Sequence, residues 1–357
     1  MPNHKVILRA LALVLPLGLV APSAVLGQGD KPAAAKKTNK TSPSSAATPV
    51  VPPNFPLDAA QHIQQLNADT SLPELREGAK GPAVIRAQVM LDRAWFSVGE
   101  IDGSFGSNMK KALAAFQASR NLPATGVVDA ATWQALGQQA PAFASYVLTD
   151  ADVAGPYVTI PKDDPEAQSQ MTTLAYQSLD EAISERFHMS PKLFAALNKG
   201  RSLQAGQAIV VPDVGRAASL AKAASLRIDK SDQMLYILGA DGRVMGAFPV
   251  TIGGQEFPLP EGTLQITAHA RNPDFSYNPA LLRNPKTDKK VKLPPGPNSP
   301  VGVMWLALSK EHLGIHGTAE PSQMSRAESS GCVRLTNWDV VRLSTVADKG
   351  INVEVQS

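Results

Sequence analysis

Cysteine is nearly missing from this chain: its 357 residues include one, Cys332. A single cysteine excludes an intramolecular disulfide framework. Aromatic residues make up 5% of the sequence, too few for the stacking platforms that hold nucleic-acid bases. Net charge is low as well, +3 with histidine neutral, which excludes the basic footprint of a nucleic-acid binder. After residue 27 no apolar run approaches the roughly twenty residues that a membrane span needs. No His/Cys/Asp/Glu group has metal-ligand spacing.

The first residues hold a different pattern. Lys5 and Arg9 precede an apolar run over residues 10–20, small residues follow, and Val25-Leu26-Gly27 is a candidate cleavage site. Residues 1–27 therefore read as a secretory signal. The alternative is an uncleaved anchor, which Pro16, Pro22 and the short apolar core disfavour. Cleavage removes Lys5 and Arg9 and leaves a mature charge near 3 − 2 = +1. Export sharpens the question of Cys332, because exported proteins normally use cysteine for disulfides. Residues 28–55 are dominated by Ala, Lys, Ser, Thr and Pro, with too little apolar surface to offset chain entropy, and read as a disordered linker.

Residues 56–140 read as short helices joined by glycine turns. Residues 82–93 carry Ile85, Val89 and Leu91. Ser107 is a candidate cap for a second helix, with Met109, Ala112, Leu113 and Phe116 at helical spacing. Asp129 is a candidate cap for a third, bearing Trp133 and Leu136. The set Gly81, Gln88, Ile101-Asp102-Gly103, Phe105-Gly106, Phe116-Gln117, Gly126, Val128-Asp129 and Thr132-Trp133-Gln134 resembles the peptidoglycan-binding three-helix domain. Residues 141–168 read as an irregular connector. Residues 169–213 read as a strand (171–176), a helix opened by the capping box Ser178-x-x-Glu181, a helix opened by Ser190-Pro191, and a strand before Pro212. Ile183, Phe187, Leu197-Asn198, Gly206-Gln207 and Val211-Pro212 resemble a LysM module, which implies glycan binding. The departure at Tyr176-Gln177-Ser178 keeps a structural docking role as the alternative.

From residue 224 the pattern turns to strands, over 226–229, 234–238, 244–252, 262–268, 303–308 and 351–355. The Pro- and Asn-rich stretch 271–300 reads as a lid or wall, with a plain surface excursion as the alternative. Thr336-x-x-Asp339 caps a late helix, and Asp339 reads as part of that cap.

Chemistry concentrates near the end. A thiol attacks as thiolate, and a neighbouring imidazole can take its proton. Of six histidines, His316 in Ile315-His316-Gly317-Thr318 is the best placed, 332 − 316 = 16 positions before Cys332. His269 reads as a packing or lid residue and His312 as surface. A buried structural cysteine or an intermolecular disulfide is the bland reading, but small neighbours and Arg334 do not look like a core. A backbone carbonyl can fix the imidazole tautomer. N–H groups around Gly331 and Cys332, with the hydroxyls of Ser330 and Thr318, are candidate oxyanion donors. Arg334 is a candidate for a substrate carboxylate or for an ion pair beneath the loop.

Val250-Thr251-Ile252-Gly253-Gly254, Pro260-Glu261-Gly262-Thr263, Pro294 to Gly302, His316-Gly317-Thr318 and Ser329-Ser330-Gly331-Cys332-Val333-Arg334-Leu335 resemble, in order and spacing, an L,D-transpeptidase catalytic domain over residues 224–357. The resemblance implies Cys332 as nucleophile, His316 as base and the Gly317 carbonyl as its orienter. Many members have a second histidine where this chain has Ser330, so His316 carries the proton work alone. It further implies a thioester formed from a tetrapeptide stem with release of D-Ala, then transfer to a diaminopimelate or envelope-protein amine. No cofactor or metal is implied. The resulting expectation is a multidomain α+β protein: a three-helix bundle, a βααβ LysM-like unit and a mostly β, sandwich-type catalytic domain. Its partners would be peptidoglycan peptides and glycan, and its place the periplasm. An L,D-carboxypeptidase and a non-catalytic wall-binding protein are the alternatives.

Overall fold

Helix caps and glycine turns set the first region. The computed structural model describes residues 58–137 and 141–357; the expected signal (1–27) and linker (28–55) lie outside them. Helix α1 (Ala59–Ala68) is capped by Asp58, whose carboxylate accepts the Gln61 N–H. Helix α2 (Pro82–Arg93) begins with proline, whose missing N–H has no helical partner at that position. In α3 (Ser107–Ser119) the expected cap is displaced by one residue: Gly106 holds the capping position and Ser107 is already helical. Helix α4 (Ala130–Leu136) has the expected cap, Asp129 accepting from Thr132. Val84, Leu91, Leu113, Phe116 and Trp133 are buried between these helices.

The second region departs from expectation at its first strand. Strand β1 (Phe143–Val147) lies inside the stretch read as a connector. Two short helices follow, α5 (Asp150–Ala154) and α6 (Pro165–Gln168), then α7 (Leu179–Arg186), α8 (Pro191–Leu197) and β2 (Ala208–Pro212). Strands β1 and β2 are antiparallel, with Phe143 opposite Pro212 and Val147 opposite Ala208. Residues 171–176, read as the strand, form none. Their backbone is taken by another partner: Leu174 N–H donates to the Pro295 carbonyl at 2.9 Å, and the Thr173 hydroxyl donates to it at 3.0 Å. The capping box of α7 is half formed. Ser178 accepts from Glu181 N–H, but the Glu181 carboxylate accepts from Gln177 rather than from Ser178.

The third region is a curled sheet. Its strands are β3 (Ser225–Asp229), β4 (Met234–Leu238), β5 (Val244–Pro249), β6 (Gly262–Arg271), β9 (Met304–Leu308), β10 (Gly314–His316), β11 (Val333–Arg334) and β12 (Asn352–Gln356); β7 (Phe275–Tyr277) and β8 (Val291–Leu293) form a separate hairpin. The order is β11-β10-β9-β6-β12-β3-β4-β5. Strand β6 pairs with β12 through its first residues and with β9 through its last, with a register shift between Ile266 and Ala268. One continuous sheet therefore bends through β6 where two separate layers were expected. Helix α9 (Asn337–Val346) buries Val340 and Leu343 against Leu306, Ile315 and Val353. Thr336 caps it, but the Asp339 carboxyl does not reach back; it accepts the Ser97 hydroxyl at 2.6 Å in a buried site. Burial pushes that carboxyl up to about 6.

The regions share their interiors. Ile183, Phe194 and Ile209 pack in one apolar core with Val84, Phe116 and Met234. A polar cluster joins the same three regions. Asp92 of α2 accepts from Arg342 of α9 at 3.1 Å and pairs with His188 Nδ1 at 3.1 Å. The His188 ring stacks on Trp338, centroids 5.3 Å apart. Among the described residues no helix is long and apolar enough to cross a membrane.

Candidate active site

Strand alternation decides which side chains meet. Strands β10 and β11 are parallel, with Ile315 opposite Val333 and His316 opposite Arg334. Successive side chains point to opposite faces of a sheet. Ile315, Val333 and Leu335 thus enter the core, where all three are fully buried. His316, Arg334 and Cys332 fall on the other face and line one cavity of about 700 Å³. The loop before Cys332 turns at Gly331, φ +103°, a conformation that favours glycine. Gly253 crosses close beneath: a Cβ there would sit 2.8 Å from Gly331 Cα.

The imidazole is held on two sides. His316 Nδ1–H donates to the Gly317 carbonyl at 2.7 Å, which leaves Nε2 as the acceptor. Trp305, opposite His316 on β9, stacks on the ring at 5.1 Å and 12°. Burial, with the Arg334 guanidinium nearby, lowers the imidazole to about 3 against the opposing Gly317 bond. The ring is therefore neutral at pH 7, with Nε2 unprotonated.

The thiol is half-buried, not sealed in the core. Burial pushes it up, while a Gly314 backbone bond and Arg334 pull it down. The register sets Cys332 one residue ahead of the pair Ile315–Val333, diagonal to His316. Its hydrogen bond goes to the His312 carbonyl at 3.4 Å, and no bond between sulfur and imidazole is present. The two groups share a cavity without a bond between them.

The other candidates separate. Among the described residues Arg334 has no ion-pair partner; its Nε is buried and unbonded, and burial lowers its pKa. The ion-pair reading thus loses its partner. The Ser330 hydroxyl accepts Arg283 N–H at 2.9 Å, and Thr318 Oγ1 accepts Glu320 N–H at 3.2 Å. Both residues line the cavity. His269 is exposed on β6 and absent from the cavity, so it is neither a packing nor a lid residue. His312 is surface-exposed, as expected, yet its carbonyl holds the thiol.

The 271–300 stretch is a wall. Phe275, Tyr277, Leu282, Lys286 and Asn298 line the cavity. Tyr277 and Leu293 pack on Leu174 in a small core of their own. Asp163, Pro165 and Gln168 of the second region line the same cavity, a contribution the sequence reading missed. Also missed was Asn337, whose Oδ1 accepts Val303 N–H at 3.2 Å and abuts Gly302 and Gly317, and whose Nδ2 donates to Glu185 and Pro297. Among the described residues no group of three or more His, Cys, Asp or Glu side chains could hold a metal ion.

Parts of the chain are similar to known proteins. Residues 223–355 match the model of the L,D-transpeptidase catalytic domain, and residues 80–136 that of a putative peptidoglycan binding domain. A putative L,D-transpeptidase of Bacillus licheniformis is 26% identical over 178 residues, 49% of this chain and 92% of the relative. A putative L,D-transpeptidase of Bacillus subtilis is 29% identical over 153 residues, 43% and 77% of the two chains. An L,D-transpeptidase structure from Xylanimonas cellulosilytica aligns over 80% of this chain and 98% of its own at 16% identity, with a TM-score of 0.36. Residues 223–355 are accordingly an L,D-transpeptidase catalytic domain, preceded in the same chain by a peptidoglycan-binding helical domain.

Proposed function

We propose that the protein is a peptidoglycan L,D-transpeptidase working through a Cys332 thioester. The observation that carries this reading is the β10–β11 register, which turns Cys332, His316 and Arg334 into one cavity. His316 Nε2 takes the thiol proton, and sulfur attacks the carbonyl between the L-centre of diaminopimelate and D-Ala. The oxyanion forms near the Gly331–Cys332 backbone and the Ser330 and Thr318 hydroxyls. The tetrahedral centre collapses, the C–N bond breaks, and His316 returns the proton to the departing D-Ala amine. An acceptor amine then attacks the thioester, gives a proton to the same imidazole, and releases the thiolate. Arg334 holds a substrate carboxylate by its bidentate fork. Water in place of the amine makes the reaction a carboxypeptidase.

The acceptor we assign is a second stem's diaminopimelate amine, with an envelope-protein amine as the variant. We place the enzyme in the periplasm, exported by residues 1–27 with 28–55 as tether. The helical domain spans 56–140 and the catalytic domain 224–357. The second module, read as LysM-like, begins at β1 instead of residue 169 and has four short helices between its two strands; its roles are docking and glycan contact. Mass spectrometry of purified protein with a tetrapeptide muropeptide tests the reading. Cross-linked dimers support it, tripeptides support hydrolysis, and unchanged substrate that is still bound supports a wall-binding protein. A Cys332→Ala variant that keeps full activity overturns the site.

A further inference from the structure

The cavity has a rim that the proposed chemistry does not use. Two opposite charges meet there from different regions. Asp163, in the turn before α6, and Lys286, in the loop between β7 and β8, approach to 3.1 Å and both line the cavity that holds Cys332. Lys286 keeps 49% and Asp163 54% of their side-chain surface exposed. A pair so wet adds little stability. The fold around it is held by other means: the Leu174, Tyr277 and Leu293 core, the Leu174–Pro295 backbone bond, and the Glu166–Lys289 and Glu166–Thr287 contacts. The backbones that carry the pair are fixed. Lys286 N–H donates to the buried Tyr277 hydroxyl at 2.6 Å. Asp163 is followed by Asp164, which caps α6, and by buried Pro165.

We propose that Asp163 and Lys286 form a receptor for a zwitterion, an ammonium and a carboxylate on one carbon. In the function proposed above, on which this assignment rests, that group is the distal amino-acid end of the diaminopimelate side chain. Its carboxylate takes the Lys286 ammonium and its ammonium takes the Asp163 carboxylate. One ion pair within the protein is exchanged for two across the interface, and no charge in the cavity is left alone. A side chain with an ammonium only, as in lysine, draws Asp163 away and strands Lys286. The rim therefore discriminates by the partner it leaves unpaired. The second module acts on specificity through this one turn.

Two tetrapeptides, alike except for diaminopimelate or lysine at the third position, test the assignment by calorimetry on Cys332→Ala protein. The diaminopimelate peptide binds about tenfold more tightly. Adding Lys286→Met brings the two peptides to within about threefold of each other, whereas adding Asp163→Asn weakens both together. In the active protein Lys286→Met raises KM for the diaminopimelate peptide about tenfold with kcat held. Equal binding of the two peptides by the Cys332→Ala protein, or an undiminished preference after Lys286→Met, overturns the assignment. D-Ala released from both peptides at equal kcat/KM overturns the rim and leaves the transpeptidase reading standing. No D-Ala from either overturns both.

Discussion

Glu185 gives the sharpest test of how the second module supports the catalytic one. Its carboxyl is 8% exposed and accepts from Asn337 Nδ2 at 3.0 and 3.3 Å and from the Tyr176 hydroxyl at 3.3 Å. Burial pushes it up to about 8, the Asn337 bond opposes, and Glu181 adds to the rise. Unfolded, the group titrates near 4.5. The folded protein thus keeps a proton that the unfolded chain has lost. Its stabilising contribution is complete below pH 4.5 and is lost as pH rises through about 8. The interval is 8 − 4.5 = 3.5 units, a ceiling of about 5 kcal/mol at 1.36 per unit. Relaxation around the charged form reduces this to about 1–3 kcal/mol. Glu185→Gln keeps a carbonyl for Asn337 and has no proton to lose. Urea unfolding of both proteins from pH 5 to 9 should show the variant gaining on the wild type by about 1–3 kcal/mol as pH rises. A difference that is flat with pH, or that grows in favour of the wild type, refutes a protonated Glu185 beneath the Asn337 contact.

Alkylation of Cys332 by iodoacetamide should climb with pH to a midpoint above the ordinary thiol value, because burial outweighs the Gly314 and Arg334 contributions; a plateau below pH 7 contradicts this. The acid limb of kcat/KM should show no step at the ordinary imidazole value of 6.5, since buried His316 stays neutral to about 3; a step at 6.5 counts against it. Arg334→Gln should raise KM for a tetrapeptide about tenfold with a smaller effect on kcat, and an unchanged KM removes Arg334 from the substrate site. Leu174→Ala should destabilise the wall locally by about 2–3 kcal/mol, so that limited proteolysis cuts within 272–300 below the global unfolding transition. Resistance equal to wild type shows that Leu174 does not hold the wall.

Local signals were legible where local chemistry decides. Alternation and turn residues marked β3 and β4, and proline after serine marked α8. That His316 and Cys332 face one cavity follows from short signals: a lone cysteine after a glycine turn and a histidine before one. Long-range choices were not. The run 171–176 has strand-forming residues, but its bonds go to Pro295, more than a hundred residues away. Asp339 has the spacing of a cap, yet Ser97 claims its carboxyl. Glu185 and Asn337 read as ordinary helix polars; only tertiary packing buries them together. The diagonal offset of sulfur and imidazole depends on a parallel register that no local pattern encodes.

Asp92 touches one residue from each of two other regions, and truncating it removes a carboxylate partner from half-buried Arg342 and His188 at once. Such a joint works as a weld more than as a hinge. The helical domain therefore holds the mouth of the Cys332 cavity at a set angle.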